Sequence, residues 1–96
     1  MGKRERARRA HVRDLERLAR LAPGGAPDRP LAIDTPPLVD VMAEGTPCPL
    51  CGGGLRLVEH AAETIAGARL RVARVTCTRC GIGRAIYFRL RETALH

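Results

Sequence analysis

Cys48-Pro49-Leu50-Cys51-Gly52-Gly53-Gly54 and its counterpart Cys77-Thr78-Arg79-Cys80-Gly81 together hold all 4 cysteines of a 96-residue chain. Each pair has the form C-x2-C, and 25 residues separate the pairs. Two cysteines spaced this way can set both thiolates on one cation when the backbone turns tightly between them. Amides within the turn then donate to the sulfurs and moderate their negative charge. The glycine after each second cysteine lets the chain leave the turn without a Cβ clash, at positive φ. Two such knuckles facing one another make a closed tetrahedral site of four sulfurs. The interval between them suits two strands and a return that brings the second knuckle opposite the first.

Working outward, the flanking residues alternate as strands do. Leu55 and Leu57 flank Arg56, Leu70 and Val72 alternate with Arg69 and Arg71, and Ile86, Phe88 and Leu90 alternate with Tyr87 and Arg89. The phase breaks at Ala73-Arg74-Val75, which predicts a bulge or twist just before Cys77. His60–Ala68 reads as the return between the first two strands, with a short extra strand around Glu63–Ile65. Gly83 suggests close backbone approach to the metal loop, and Leu95 is expected as the last apolar anchor.

On the strength of Cys48, Cys51, Cys77, Cys80, Gly52 and Gly81, residues 46–90 resemble a zinc ribbon. The resemblance implies three antiparallel strands below two knuckles, in a small metal-stabilised β domain with one zinc ion per chain. Iron in a rubredoxin-like centre uses the same two knuckles. Proteins of that kind are typically acidic and aromatic-rich, whereas this chain is basic with 2% aromatics, so iron is the minor alternative. A redox disulfide between Cys48 and Cys51 would leave the second pair unexplained. Four thiolates leave no open position for water or substrate, so the metal serves folding rather than Lewis-acid catalysis. Zinc ribbons occur in transcription and translation factors, in enzyme subdomains and in adaptors.

Towards the N-terminus, residues 1–22 read as a basic amphipathic helix. Val12, Leu15, Leu18, Ala19 and Ala22 share one face, and Pro23-Gly24-Gly25 stops the helix. The first turns offer only Ala7 and Ala10 as apolar anchors, so that end is expected to fray or protrude. Residues 23–45 form a Pro-rich segment with two apolar patches, Leu31/Ile33 and Leu38/Val39/Val41/Met42. It is read as an extended arm or linker, with a short turn of helix as the other option. Residues 46–96 form the ribbon domain.

Only 22 of the 96 residues are Leu, Ile, Val or Phe, so the apolar core is thin for a chain of this length and a metal site makes good the deficit. The net charge is +7, carried by 17 basic residues of which one is Lys. Loading four thiolates with one divalent ion would lower it to +5. No apolar run is long enough to span a membrane. The basic N-terminus lacks the apolar core of a signal peptide. A reducing cytoplasm is therefore the expected compartment, where paired cysteines bind metal. His11 and His60 read as surface residues, and no nucleophile–base arrangement or phosphate-cradling loop is present, so no enzyme is expected.

Two binding functions remain. Arg4, Arg8, Arg56, Arg71, Arg79 and Arg84 could meet the phosphates of DNA or RNA through backbone contacts with little base readout, since aromatic platforms are nearly absent. Alternatively, Leu15, Leu18 and Leu21 could dock a protein partner or a second copy of the chain, making the protein an adaptor or regulatory subunit.

Overall fold

A computed structural model of the chain describes residues 2–91. The expected anchor Leu95 lies outside the described residues. Helix α1 spans Lys3–Leu21, strand β1 Leu31–Ile33, helix α2 Pro37–Gly45, and strands β2, β3 and β4 span Leu55–Ile65, Ala68–Cys77 and Gly83–Leu90. The strands form one sheet in the order β1-β4-β3-β2, with β1 parallel to β4 and the other pairs antiparallel. The sheet thus has four strands, not the three expected from the ribbon pattern. The additional strand comes from the Pro-rich segment.

That segment also departs from the extended conformation expected of residues 23–45. Its middle turns into α2 because Pro36-Pro37 falls at the start of the helix, where a fixed φ is pre-organised and the missing N–H costs nothing. Val39 and Ala43, four residues apart, are buried on the inner side. Thr46 closes the helix, its hydroxyl donating to the Met42 carbonyl at 2.8 Å. β1 is held by pairing Leu31 with Phe88 and Ile33 with Leu90. Its end is fastened twice to Arg91, whose amide donates to the Ile33 carbonyl at 2.8 Å and whose guanidinium donates to Asp34 at 2.9 Å.

β2 and β3 make a long hairpin through Ala66-Gly67, with Ile65 opposite Ala68. Both loop residues have positive φ, at 50° and 81°, as a two-residue hairpin loop requires. The return expected over His60–Ala68 is therefore two residues long, and Glu63–Ile65 is simply the end of β2. The irregularity predicted in β3 lies on its partner. Val58 is the extra residue, with Leu57 opposite Val75 and Glu59 opposite Arg74. β3 breaks the alternation because its covered side changes along its length, Leu70 and Val72 being buried on one face and Ala73, Val75 and Cys77 on the other, so that consecutive Val72 and Ala73 are both fully enclosed.

The main core joins Ile33, Val39, Ala43, Leu55, Ala73, Val75, Ile86 and Phe88 to Cys48 and Cys77 in one cluster. α2 is pinned over it by two polar contacts to β2. The Leu57 amide donates to Glu44 at 3.0 Å, and His60 Nδ1 lies 2.9 Å from Asp40 Oδ1. An ionised Asp40 can only accept, so Nδ1 carries the proton. α1 buries none of its residues and projects from this body, consistent with overall dimensions of 62 × 25 × 16 Å. It runs unbroken from Lys3 with its basic start exposed, the protruding form of the two expected for that end.

Candidate metal centre and the arginine surface

The two knuckles repeat the same local fold. In the first, the Gly52 amide donates to the Cys48 carbonyl at 2.8 Å and the Cys48 amide to the Gly53 carbonyl at 2.9 Å. In the second, Gly81 donates to the Cys77 carbonyl at 3.1 Å and Cys77 to the Ile82 carbonyl at 2.9 Å. Gly52 and Gly81 take φ of 77° and 78°, so the exit from each knuckle uses the left-handed region open to glycine. Thr78 stitches the loops together, its amide donating to the Gly54 carbonyl at 2.9 Å.

These turns converge four thiols. The Sγ atoms of Cys48, Cys51, Cys77 and Cys80 all lie within 4.8 Å of one another, with Cys48 and Cys80 3.7 Å apart and Cys51 and Cys77 3.4 Å apart. A tetrahedron with metal–sulfur bonds of about 2.3 Å has edges of about 3.8 Å, so the cluster has the dimensions of a four-sulfur site. Backbone amides already point at the sulfurs. Leu50 donates to Cys48 and Gly53 to Cys51, while Arg79 and Cys80 both donate to Cys77, all at 3.3–3.4 Å. The four cysteines are free of disulfides and are placed to hold one metal ion.

The electrostatics of the thiols follow from the same contacts. The amides of Cys80 and Arg79 favour the Cys77 thiolate, bringing its pKa down to about 6 against the opposing effect of burial. The Ile82 amide favours ionisation of Cys80. Burial and the adjoining Cys77, Cys48 and Cys51 outweigh it and push that thiol up to about 11. Four like charges cannot gather here without a cation among them.

The six arginines expected at a nucleic-acid surface are not brought together. Arg4 and Arg8 are exposed on α1, and Arg56 is exposed on β2. Arg71 is half-buried opposite Phe88, near Arg69 and Arg89 around a hollow formed by the ends of β3 and β4. Arg79 reaches back across the knuckles to donate to the Cys51 carbonyl at 3.3 Å. Arg84 is half-buried, and burial pushes its pKa down while the Cys48 sulfur opposes the shift. It shares a hollow of about 320 Å³ with Arg20 of α1, backed by Leu50, Ile82 and Tyr87. Of the apolar docking candidates, Leu15 is half-buried, whereas Leu18 and Leu21 are 62% and 51% exposed.

The sequence reading passed over two features of this surface. Arg20 joins Arg84 only because Pro23-Gly24-Gly25 turns the end of α1 back to the sheet, where the Gly24 carbonyl accepts from the Tyr87 amide at 2.8 Å. The exposed row Arg6, Arg9, Arg13, Arg17 and Arg20 recurs at spacings of three and four along α1. Testing the cations for helical periodicity, as the apolar residues were tested, would have found it. Among the described residues, no helix is long and apolar enough to cross a membrane. Comparison with protein-family models, with curated proteins and with solved structures finds no match to this chain.

Proposed function

We propose that the protein is a non-catalytic, zinc-stabilised ribbon module that works in the cytoplasm and holds the phosphate backbone of nucleic acid through surface arginines. The observation that carries this reading is the closed set of four sulfurs at tetrahedral spacing, two of them within the core. An ion bound by Cys48, Cys51, Cys77 and Cys80 has no position left for substrate, so it supplies folding energy and nothing else. Zinc suits an all-thiolate tetrahedron without redox chemistry and, through the resemblance to zinc ribbons, is favoured over iron. What is left for function is the surface, where arginines predominate and guanidinium forks match phosphate oxygens.

Native mass spectrometry with elemental analysis tests the metal. One zinc per chain is expected, iron would reassign the centre, and no metal in freshly prepared protein would overturn the site. Fluorescence anisotropy with duplex DNA and RNA tests the surface. Binding that weakens steeply with salt is expected, and absence of binding at low ionic strength would overturn the reading.

A second reading is supported by apolar exposure. Val41 is 68% exposed beside Leu38 and Met42 on the outer side of α2, and Leu18 and Leu21 are open on α1. These surfaces suit an adaptor that docks a protein or a second copy of the chain. A pull-down with and without nuclease separates the two readings. Nuclease-resistant, salt-resistant capture of one protein, broken by L18D, would favour the adaptor.

A further inference from the structure

At 100° per residue, Arg6, Arg9, Arg13, Arg17 and Arg20 fall within an arc of about 80° on α1 and climb about 21 Å along its axis. All five are exposed. Arg4 and Arg8, the α1 residues singled out from sequence, point to the opposite side of the helix. The acids nearest the row leave it largely uncommitted. Glu5 touches Arg9 at 3.5 Å and Asp14 touches Arg17 at 3.7 Å, both as exposed pairs of the kind worth little in water. Arg6, Arg13 and Arg20 have no carboxylate partner among the described residues, although Glu16 lines the hollow that receives Arg20. The row ends in that hollow, where Arg84 waits half-buried and likewise without a carboxylate among the described residues. A cation drawn out of water is costly until an anion joins it.

We propose that this row, closed at its knuckle end by Arg84, is the track along which α1 receives the phosphate backbone of a double-stranded nucleic acid. The inference rests on the nucleic-acid reading above and adds the face that makes the contact. Double-stranded DNA carries one phosphate charge per about 1.7 Å of its axis, so a row of cations about 21 Å long lies beside an extended run of phosphates rather than an isolated anion. A lipid surface fits less well. The helix half that carries Arg6, Arg9 and Arg13 has only Ala7, Ala10 and Val12 to bury in a bilayer, and Leu15 and Ala19 are already half-buried.

The test uses the metal-loaded full chain, a labelled mixed-sequence DNA duplex and its RNA equivalent, and anisotropy titrations between 50 and 200 mM salt. The variant R13Q/R17Q removes two charges from the row. R69Q/R89Q removes two exposed charges from the far ends of β3 and β4 and serves as the equal-charge control. Loss of two phosphate contacts should flatten the slope of log affinity against log salt by about 1.8 in R13Q/R17Q, with R13K/R17K restoring it. The control should keep the parental slope. Equal flattening in both double variants, or in neither, would overturn the track while leaving the nucleic-acid reading standing. Absence of binding to either duplex at the lowest salt would overturn both. Binding to anionic phosphatidylserine vesicles but to neither duplex would overturn both and identify a lipid surface instead.

Discussion

A methyl group at Gly53 would stand 2.9 Å from Arg79 Cβ and 3.2 Å from the sulfurs of both Cys51 and Cys77. G53A should therefore weaken metal affinity at least about tenfold in a chelator competition, a shift of about 1.4 kcal/mol. Gly45, the last residue of α2, faces open space, so G45A should be neutral or stabilising by up to about 1 kcal/mol in thermal unfolding. Ala66 has the reverse problem, a non-glycine residue at φ 50° in the β2–β3 loop. Asn followed by glycine is the pair such a loop prefers, so A66N should raise the denaturant midpoint. Across the outer face of the hairpin, Glu63 accepts from Arg74 at 3.4 Å and 2.6 Å, and this bond holds the Glu63 pKa below its ordinary value. A depressed carboxylate pKa stabilises the fold above the unfolded-state value and loses that contribution as pH falls through the folded one. E63Q should accordingly lower stability at neutral pH and narrow its gap to the parent in acid. At this scale the cysteines and their glycines were legible, because ligand chemistry and the left-handed turn each demand one residue type. Ala66 was not, since alanine carries no turn signal.

At the scale of elements, α2 divides its apolar residues between two sides. Val39 is fully buried, whereas Val41 is 68% exposed. V39A should cost about 2 kcal/mol and V41A less than about 0.5 kcal/mol by chemical denaturation. Equal costs would show that the helix packs by another side. The apolar patches that build β1 and α2 were visible as patches, and their conformation was not. Two adjacent prolines suggest extended chain unless they fall at a helix start, where the same rigidity favours helix. A three-residue strand is shorter than any periodicity that could announce it, and its partner β4 lies far along the chain. The alternation of Leu55 and Leu57 in β2 and of Ile86 and Phe88 in β4 was readable for the opposite reason, since there one side stays more buried than the other. β3, whose buried side changes between Val72 and Ala73, displayed a broken phase that looked like a bulge of its own.

For the whole molecule, the candidate metal centre and the apolar core are one structure, because Cys48 and Cys77 belong to the same cluster as Phe88 and Val75. Chelation should therefore abolish the cooperative unfolding transition and collapse amide dispersion in NMR spectra over residues 46–90, since such sites contribute about 10–16 kcal/mol against a typical domain stability of about 5–15 kcal/mol. Metal uptake must also expel protons, among them that of Cys80, whose pKa stands at about 11, and less from Cys77 at about 6. Affinity should fall as pH is lowered. Calorimetry in buffers of differing ionisation enthalpy should register net proton release on binding, and pH-independent affinity would contradict a thiolate site.

The parallel pairing of β1 with β4 sets an order of events during synthesis. Asp34 and Arg91, which clasp at its end, are 57 residues apart. A ribosome delivers the arginine-rich α1 before Leu31 and Ile33, and only much later the strand that shelters them. Until β4 emerges, the nascent chain carries its cations beside unprotected apolar residues. The second knuckle comes out just before β4, so completion of the four-cysteine site and seating of the arm are adjacent steps.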